Sequence, residues 1–269
     1  MSLHALACAV ADATAYLSRM PVTPAPLERT DRAPWVWVTA QARRAQVDPR
    51  ALAAALRRDD RIDAVATRPD GLLEVTVTPN FVAAALRDLA SGSGMPSAPL
   101  PLVPAGPEGD AFRLAVSRFE AARTAGGAAP LPAQIAARRT LDNPVMVVLL
   151  AHARAARVAE QVLGSGPSSV DPSALRTLTD PLDLALLAEV LDAPRRLARH
   201  ETRPQEVAAG LLAVATAYLA WEEHCPGLPT RPGEVTTARH LARQLVSRAG
   251  RSVLERGMAV LGVSAPARM

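Results

Sequence analysis

The chain has 269 residues, among them 30 arginines, 26 acidic residues and no lysine, for a formal charge of +4. Without a lysine there is no Schiff-base amine and no phosphate-loop lysine, so chemistries that need that amine are excluded. Two cysteines, Cys8 and Cys225, are too few for a zinc cage of their own or for a secreted disulfide framework, and no run of about 18 apolar residues offers a membrane span.

The 55 alanines, 24 prolines and eight aromatic residues are equally uneven. Arginine in place of lysine and heavy Ala/Pro/Gly usage are also what a GC-rich genome encodes. The basicity is therefore compatible with a polyanion partner without establishing one. Residues 1–20 lack a basic leader region and carry Asp12 and Arg19, which reads as an amphipathic helix and points to a cytoplasmic protein.

In chain order, residues 3–19 have a helical pattern, broken by Pro21 and Pro24. Apolar residues recur at helical spacing from Trp35 to Gln46. Asp48-Pro49 is a helix start, because the carboxylate caps orphan N–H groups and proline suits the first turn; the helix runs to Arg58. Two short apolar runs, 62–67 and 72–78, flank Pro69-Asp70-Gly71 and predict a β-hairpin. A helix follows over 79–90. Residues 1–90 thus read as a small α+β domain.

Residues 91–109 are dominated by Gly, Ser and Pro and read as a linker. Beyond it the pattern is helical throughout, with segments at 110–123, 132–140, 143–163, 173–177, 180–190, 193–200, 204–224 and 234–261. The fold class expected is mainly α: a small α+β N-terminal domain joined by a Pro/Gly linker to an all-α bundle over 110–269.

Three motifs in the second part carry a resemblance. The chain ends Leu261-Gly262-Val263-Ser264-Ala265-Pro266-Ala267-Arg268-Met269. Upstream stand Asp142-Asn143-Pro144-Val145 and Ala151-His152-Ala153-Arg154, and further up Asp110-Ala111-Phe112-Arg113. In this order and spacing they resemble arginyl-tRNA synthetases. That family ends Leu-Gly-(Ile/Val)-Ser-Ala-Pro-Glu-(Arg/Lys)-Met, and its DALR-type helical anticodon-binding domain takes its name from the third motif. Ala267 departs from the family's Glu.

The N-terminal domain is similar to the additional N-terminal domain of the same enzymes, through Pro49-Arg50-Ala51-Leu52 and Gly71-Leu72-Leu73-Glu74. Pro34-Trp35-Val36-Trp37-Val38 stands where the family has His-Gly-Asp-(Tyr/Phe)-Ala. Between the two ends the family carries a catalytic domain with His-Ile-Gly-His and Lys-Met-Ser-Lys signatures. Here neither exists, and a phosphate cradle and a transition-state cation go with them.

The resemblance implies a non-catalytic, stand-alone relative that binds tRNA, an arginine tRNA among the choices, or a tRNA-like RNA. The alternative is a protein-interaction module whose partner is a synthetase or another protein; a domain-based reading as arginine–tRNA ligase is the third. No cofactor, metal, membrane or DNA partner is expected, and no catalytic pair is found. Glu222-Glu223-His224-Cys225 points its side chains apart at a helix end.

RNA contacts are expected at Arg113, Asn143, His152, Arg154, Trp221, Arg268 and Met269, with Arg57 and Arg58 in the N-terminal domain. His152 is equally explained as a packed helix histidine, and Trp221 as core filling. The arginines of 195–203 form either a phosphate-binding patch or a solvated face. Arg43, Arg44, Arg57, Arg58 and Arg61 are the best basic surface of the first domain. Trp35 and Trp37 share a face only if that segment is a strand. Where the family has tyrosines that contact the anticodon, this chain has Met146, Val147 and Leu150. Each lost stack is worth roughly 1–3 kcal/mol.

Overall fold

In the computed structural model, which describes residues 3–24, 27–29, 36–93, 95, 108–161, 170–225, 227–229, 234–263 and 265, the N-terminal elements follow from a few local signals. Asp48 accepts a hydrogen bond from the Arg50 N–H at 3.0 Å and starts helix α3 (Pro49–Leu56), with Pro49 in the first turn. The predicted hairpin forms as β3 (Ile62–Thr67) and β4 (Leu73–Val77). Its turn closes through Gly71 N–H to the Arg68 carbonyl at 3.0 Å, and Gly71 takes φ 78°, a conformation that favours glycine.

Two further strands, β1 (Glu28–Arg29) and β2 (Val36–Thr39), complete an antiparallel sheet in the order β1-β2-β4-β3. Helices α1 (Leu3–Ser18) and α2 (Gln41–Arg44) pack with α3. Leu73, Val75 and Val77 alternate into the core, where Trp37 is buried too.

The helix expected over 35–46 is replaced by strand β2 and the short α2. Val36-Trp37-Val38 is a β-branched and aromatic run, and pairing with β4 overrides its helical spacing. Trp35, its expected partner on one face, lies outside the described residues. So do residues 96–107 of the expected linker.

Helix α4 (Pro79–Ala90) matches the predicted span. The chain divides into two compact units, residues 1–85 and 86–269. The second unit is helical: α5 (Glu108–Thr124), α6 (Ala133–Ala136), α7 (Pro144–Gln161), a 3-10 turn (Pro172–Thr177), α8 (Pro181–Leu197), α9 (Pro204–His224) and α10 (Ala238–Val260). Helix α9 touches α5, α7, α8 and α10 and forms the centre of the bundle. The helices expected over 180–190 and 193–200 are one, because Pro194 sits in the last turn of α8, where one backbone bond is lost without ending the helix. The helix expected over 132–140 shrinks to a single turn, α6.

Two glycines have clear reasons. A Cβ on Gly257 of α10 would meet Leu211 Cδ2 at 2.4 Å and Leu197 Cδ2 at 3.0 Å, so its absence lets α10 lie directly against α9 and α8. Gly262, at φ 70°, ends α10 in a Schellman motif: Val263 N–H bonds the Met258 carbonyl at 2.8 Å and Gly262 N–H that of Ala259 at 2.9 Å. The Leu-Gly step of the C-terminal motif is thus a helix terminator. The Arg118 guanidinium donates to the Gly262 carbonyl and ties α5 to it.

The same motif closes α2 with a non-glycine residue. Val47 N–H bonds the Ala42 carbonyl at 3.0 Å and Gln46 N–H that of Arg43 at 3.4 Å, with Gln46 at φ 55°. A side chain in this conformation costs about 1 kcal/mol. Gln46→Gly is expected to stabilise the first unit by up to about 1 kcal/mol in urea denaturation followed by circular dichroism; a destabilised variant would contradict this account of the turn.

Candidate nucleic-acid interface

The helical unit is fastened around one buried carboxylate. Asp183, in the first turn of α8, is 1% exposed. It accepts three charge-assisted or indole hydrogen bonds: Arg243 Nε at 2.8 Å, Arg243 Nη2 at 2.9 Å and Trp221 Nε1 at 2.8 Å. Tyr218, one turn before Trp221, packs its ring at 5.4 Å from the indole and shares a 2.8 Å hydrogen bond with Ser247 of α10. Burial raises the Tyr218 phenol above its ordinary value. Burial, with the Asp183 carboxylate nearby, pushes the Cys225 thiol up to about 11.

This arrangement corrects the reading of Trp221 as a base-stacking surface. The ring is 1% exposed and its N–H is committed to Asp183, so it offers no face to RNA. Asn143 is corrected likewise. Fully buried, it accepts from Val145 N–H at 3.1 Å and donates to the carbonyls of Ile135, Ala136 and Arg138, which makes it the N-cap of α7. His152 is 3% exposed and belongs to the inner face of α7.

The outer face of α7 is different. Val147, Leu150, Arg154 and Arg157 follow at three- and four-residue steps, with the first two half-buried and Arg157 exposed. Arg154 Nη1 meets Glu222 Oε2 of α9 at 2.7 Å, and Arg157 Nη2 approaches Oε1 at 3.7 Å. The two arginine side chains keep 41% and 68% exposure. The guanidinium side of this pair is open to solvent while Glu222 keeps only 19% exposure. Met146 is core at 7% exposure.

The arginine run that spans the end of α8 is not a row of open cations. Arg195 and Arg196 both bond Asp192 at 2.7 Å, and Arg196 reaches Glu189 at 3.1 Å. Arg199 and Arg203 share Glu206 at 2.9 and 2.8 Å. Burial pushes Asp192 up, but its two arginines outweigh that and hold it below the usual carboxylate range. Arg203 and Arg199 do the same to Glu206. These four arginines thus lie on a solvated face and are each paired there with Asp192, Glu189 or Glu206.

Arg113 is exposed on α5, while Arg139 stacks its guanidinium 5.1 Å from the neighbouring Phe112 ring. In the first unit, Arg58 is exposed and Arg57 donates to the Val65 carbonyl at 2.8 Å. Arg268 and Met269 lie outside the described residues. No three metal-ligating side chains converge among the described residues, and no helix among them is long and apolar enough to cross a membrane.

Sequence reasoning missed Asp183, Arg243 and Arg157. For the first two a signal was available: Asp183 sits in phase with Leu186, Leu187 and Val190, and Arg243 with Val246 and Gly250, each a charge on an apolar stripe; exposed Arg157 had none.

Residues 148–269 match the DALR anticodon binding domain family. The arginine–tRNA ligases of Kineococcus radiotolerans and Clavibacter sepedonicus are each 39% identical, over 135 and 136 residues; both alignments cover 49% of this chain and 24% of the relative. That of Chlorobium phaeovibrioides is 36% identical over 141 residues, 50% of this chain and 25% of its own. The chain thus spans about a quarter of the length of these relatives. The solved Thermus thermophilus arginyl-tRNA synthetase aligns with 72% of this chain and 32% of its own at 23% identity and a TM-score of 0.48. The C-terminal half of this chain is helical, matches the DALR anticodon binding domain and is similar to the corresponding part of these ligases.

Asp183→Ala leaves Arg243 buried without its counter-charge and is expected to cost about 3–5 kcal/mol in urea denaturation; a loss under about 1 kcal/mol would contradict its role as fastener. The lowered carboxylates Asp192 and Glu206 contribute stability that is present above their unfolded values, near 4. It is lost as pH falls through their lower folded values. The Asp192→Asn variant is accordingly expected to show a shallower loss of stability between about pH 5 and 2 than the parent chain in acid denaturation.

Proposed function

We propose that this chain binds transfer RNA, an arginine tRNA among the candidates, through its DALR-type helical unit and does not itself attach arginine. The observation that carries the reading is the DALR match over residues 148–269, which opens inside α7 and includes the outer stripe of Arg154 and Arg157. The non-catalytic half of the reading draws on the 269 residues themselves: they contain no lysine and no His-x-Gly-His sequence, so neither nucleotide-site signature of the related ligases is present.

The physics of binding shifts with these substitutions. Val147 and Leu150 give no ring for a base to stack on, so sequence reading at the anticodon is weakened and affinity rests on phosphate contacts. Arg154 and Arg157 make these contacts on α7, exchanging Glu222 for phosphate oxygens, and Arg113 adds one from α5. Arg58 and Arg57 supply further cationic contacts from the first unit, Arg57 with part of its guanidinium already committed to Val65.

Fluorescence anisotropy with labelled tRNA over a salt series tests this reading. The expected result is binding at about 50 mM salt whose log–log slope against salt falls by roughly one for each arginine removed, in Arg154→Ala and then in the double variant with Arg157→Ala. No binding at that salt, or a slope unchanged in both variants, would overturn it. Exchange of pyrophosphate into ATP above background would overturn the non-catalytic part.

A further inference from the structure

The helical unit, residues 86–269, contains four aromatic side chains: Phe112, Phe119, Tyr218 and Trp221. Three are buried, Phe119 and Trp221 at 1% exposure and Tyr218 at 0%. The fourth, half-buried Phe112, has the Arg139 guanidinium over its ring at 5.1 Å. No phenyl, phenol or indole of this unit is left at the surface as an open platform for an unpaired base. The imidazole exposed at the end of α9, His224, donates through Nδ1 to the Ala220 carbonyl at 3.0 Å. It follows Glu222 and Glu223, whose charges repel the phosphates of a strand laid there.

The outer stripe of α7 is equally poor in groups that read base edges. From Pro144 to Glu160 the sequence has no Asn, Gln, Ser or Thr. Its solvent side offers Val147, Leu150, Arg154 and Arg157, two aliphatic side chains followed by two guanidinium groups. Recognition of unpaired RNA relies on stacking bases against rings and on hydrogen bonds to their edges. What this surface has instead is arginine–phosphate pairing, which is blind to sequence. A ligand held by phosphates alone is favoured by its phosphate density, and a duplex carries two strands of phosphates along one axis. The salt slope is accordingly about 0.9 for each phosphate neutralised on duplex DNA against about 0.7 on a single strand. An RNA duplex is held mostly through its shape, phosphates and 2′-hydroxyl groups, with no base unstacked.

We infer that the helical unit grips base-paired RNA, the stem of a tRNA arm, along its backbone, and does not read the unpaired anticodon bases. The inference rests on the tRNA reading above and narrows it to a class of ligand: the paired part of the molecule. Arg154 and Arg157 face the phosphates of the stem, and Val147 and Leu150 exclude water beside them without selecting a base. Binding is then shared by tRNAs of different anticodon.

The test uses the intact chain and fluorescence anisotropy at about 50 mM salt. Four labelled RNAs are compared: a tRNA, the same tRNA with its anticodon bases replaced, a hairpin with a fully paired stem, and an oligouridylate with as many phosphates as the hairpin. The two tRNAs are expected to bind within about threefold of one another, since a single stacked base would show as about fivefold or more. The share of the helical unit is the loss of affinity from the parent chain to the Arg154→Ala/Arg157→Ala double variant, a change at two exposed side chains that spares the core. That loss is expected to be at least about threefold greater for the hairpin than for the oligouridylate. A larger gap between the two tRNAs, or a smaller difference between hairpin and oligouridylate, would overturn this inference while leaving tRNA binding in place. Absence of binding by either tRNA would instead overturn the tRNA reading, and this inference with it.

Discussion

A carboxylate at 1% exposure is the constraint around which the helical unit is organised. An ion removed from water costs several kcal/mol, and the cost is recovered only with saturated, well-aligned partners. Asp183 obtains three donors from two other helices, Trp221 on α9 and Arg243 on α10. That requirement fixes how α8, α9 and α10 rotate about their axes, since a turn of any one would strand a charge. The Tyr218–Ser247 hydrogen bond and the indole–phenol packing lie on the same seam. Helix α7, capped by buried Asn143, is laid against this fixed trio and presents Arg154 and Arg157 outward.

The 30 arginines therefore divide by what holds them. Arg243 is a structural cation, inseparable from Asp183. Arg195, Arg196, Arg199 and Arg203 each hold a carboxylate at 2.7–3.1 Å within a surface network of Asp192, Glu189 and Glu206. Arg154 and Arg157 share the single half-covered carboxylate of Glu222, and Arg157 reaches it only at 3.7 Å. A formal charge of +4 says nothing of this division; geometry makes it.

What the sequence disclosed was mostly local. Asp48-Pro49 announces a helix start, and its aspartate accepts the expected backbone N–H; the structure shows the same cap at Asp171-Pro172 and Asp180-Pro181. The Pro-Asp-Gly turn disclosed the hairpin. Strand β2 was hidden because its partner is β4, some 35 residues away, and a pairing at that distance leaves no periodic trace. The motifs pointed to the region of the DALR match but not to the roles of their residues: Asn143, just upstream of the match, and Trp221 within it are both buried and hydrogen-bonded inside the fold. A recurring residue type shows that a position is constrained, without showing whether the constraint faces inward or outward.

Gly257 carries the last consequence. With a hydrogen where any other residue would put a carbon into Leu211, α10 sits too close to α9 to slide or ratchet by a turn. The bundle is a finished template before any ligand arrives. Under the proposed reading, a transfer RNA would meet a surface already set by helix packing, so that most of the ordering cost of association would fall on the RNA.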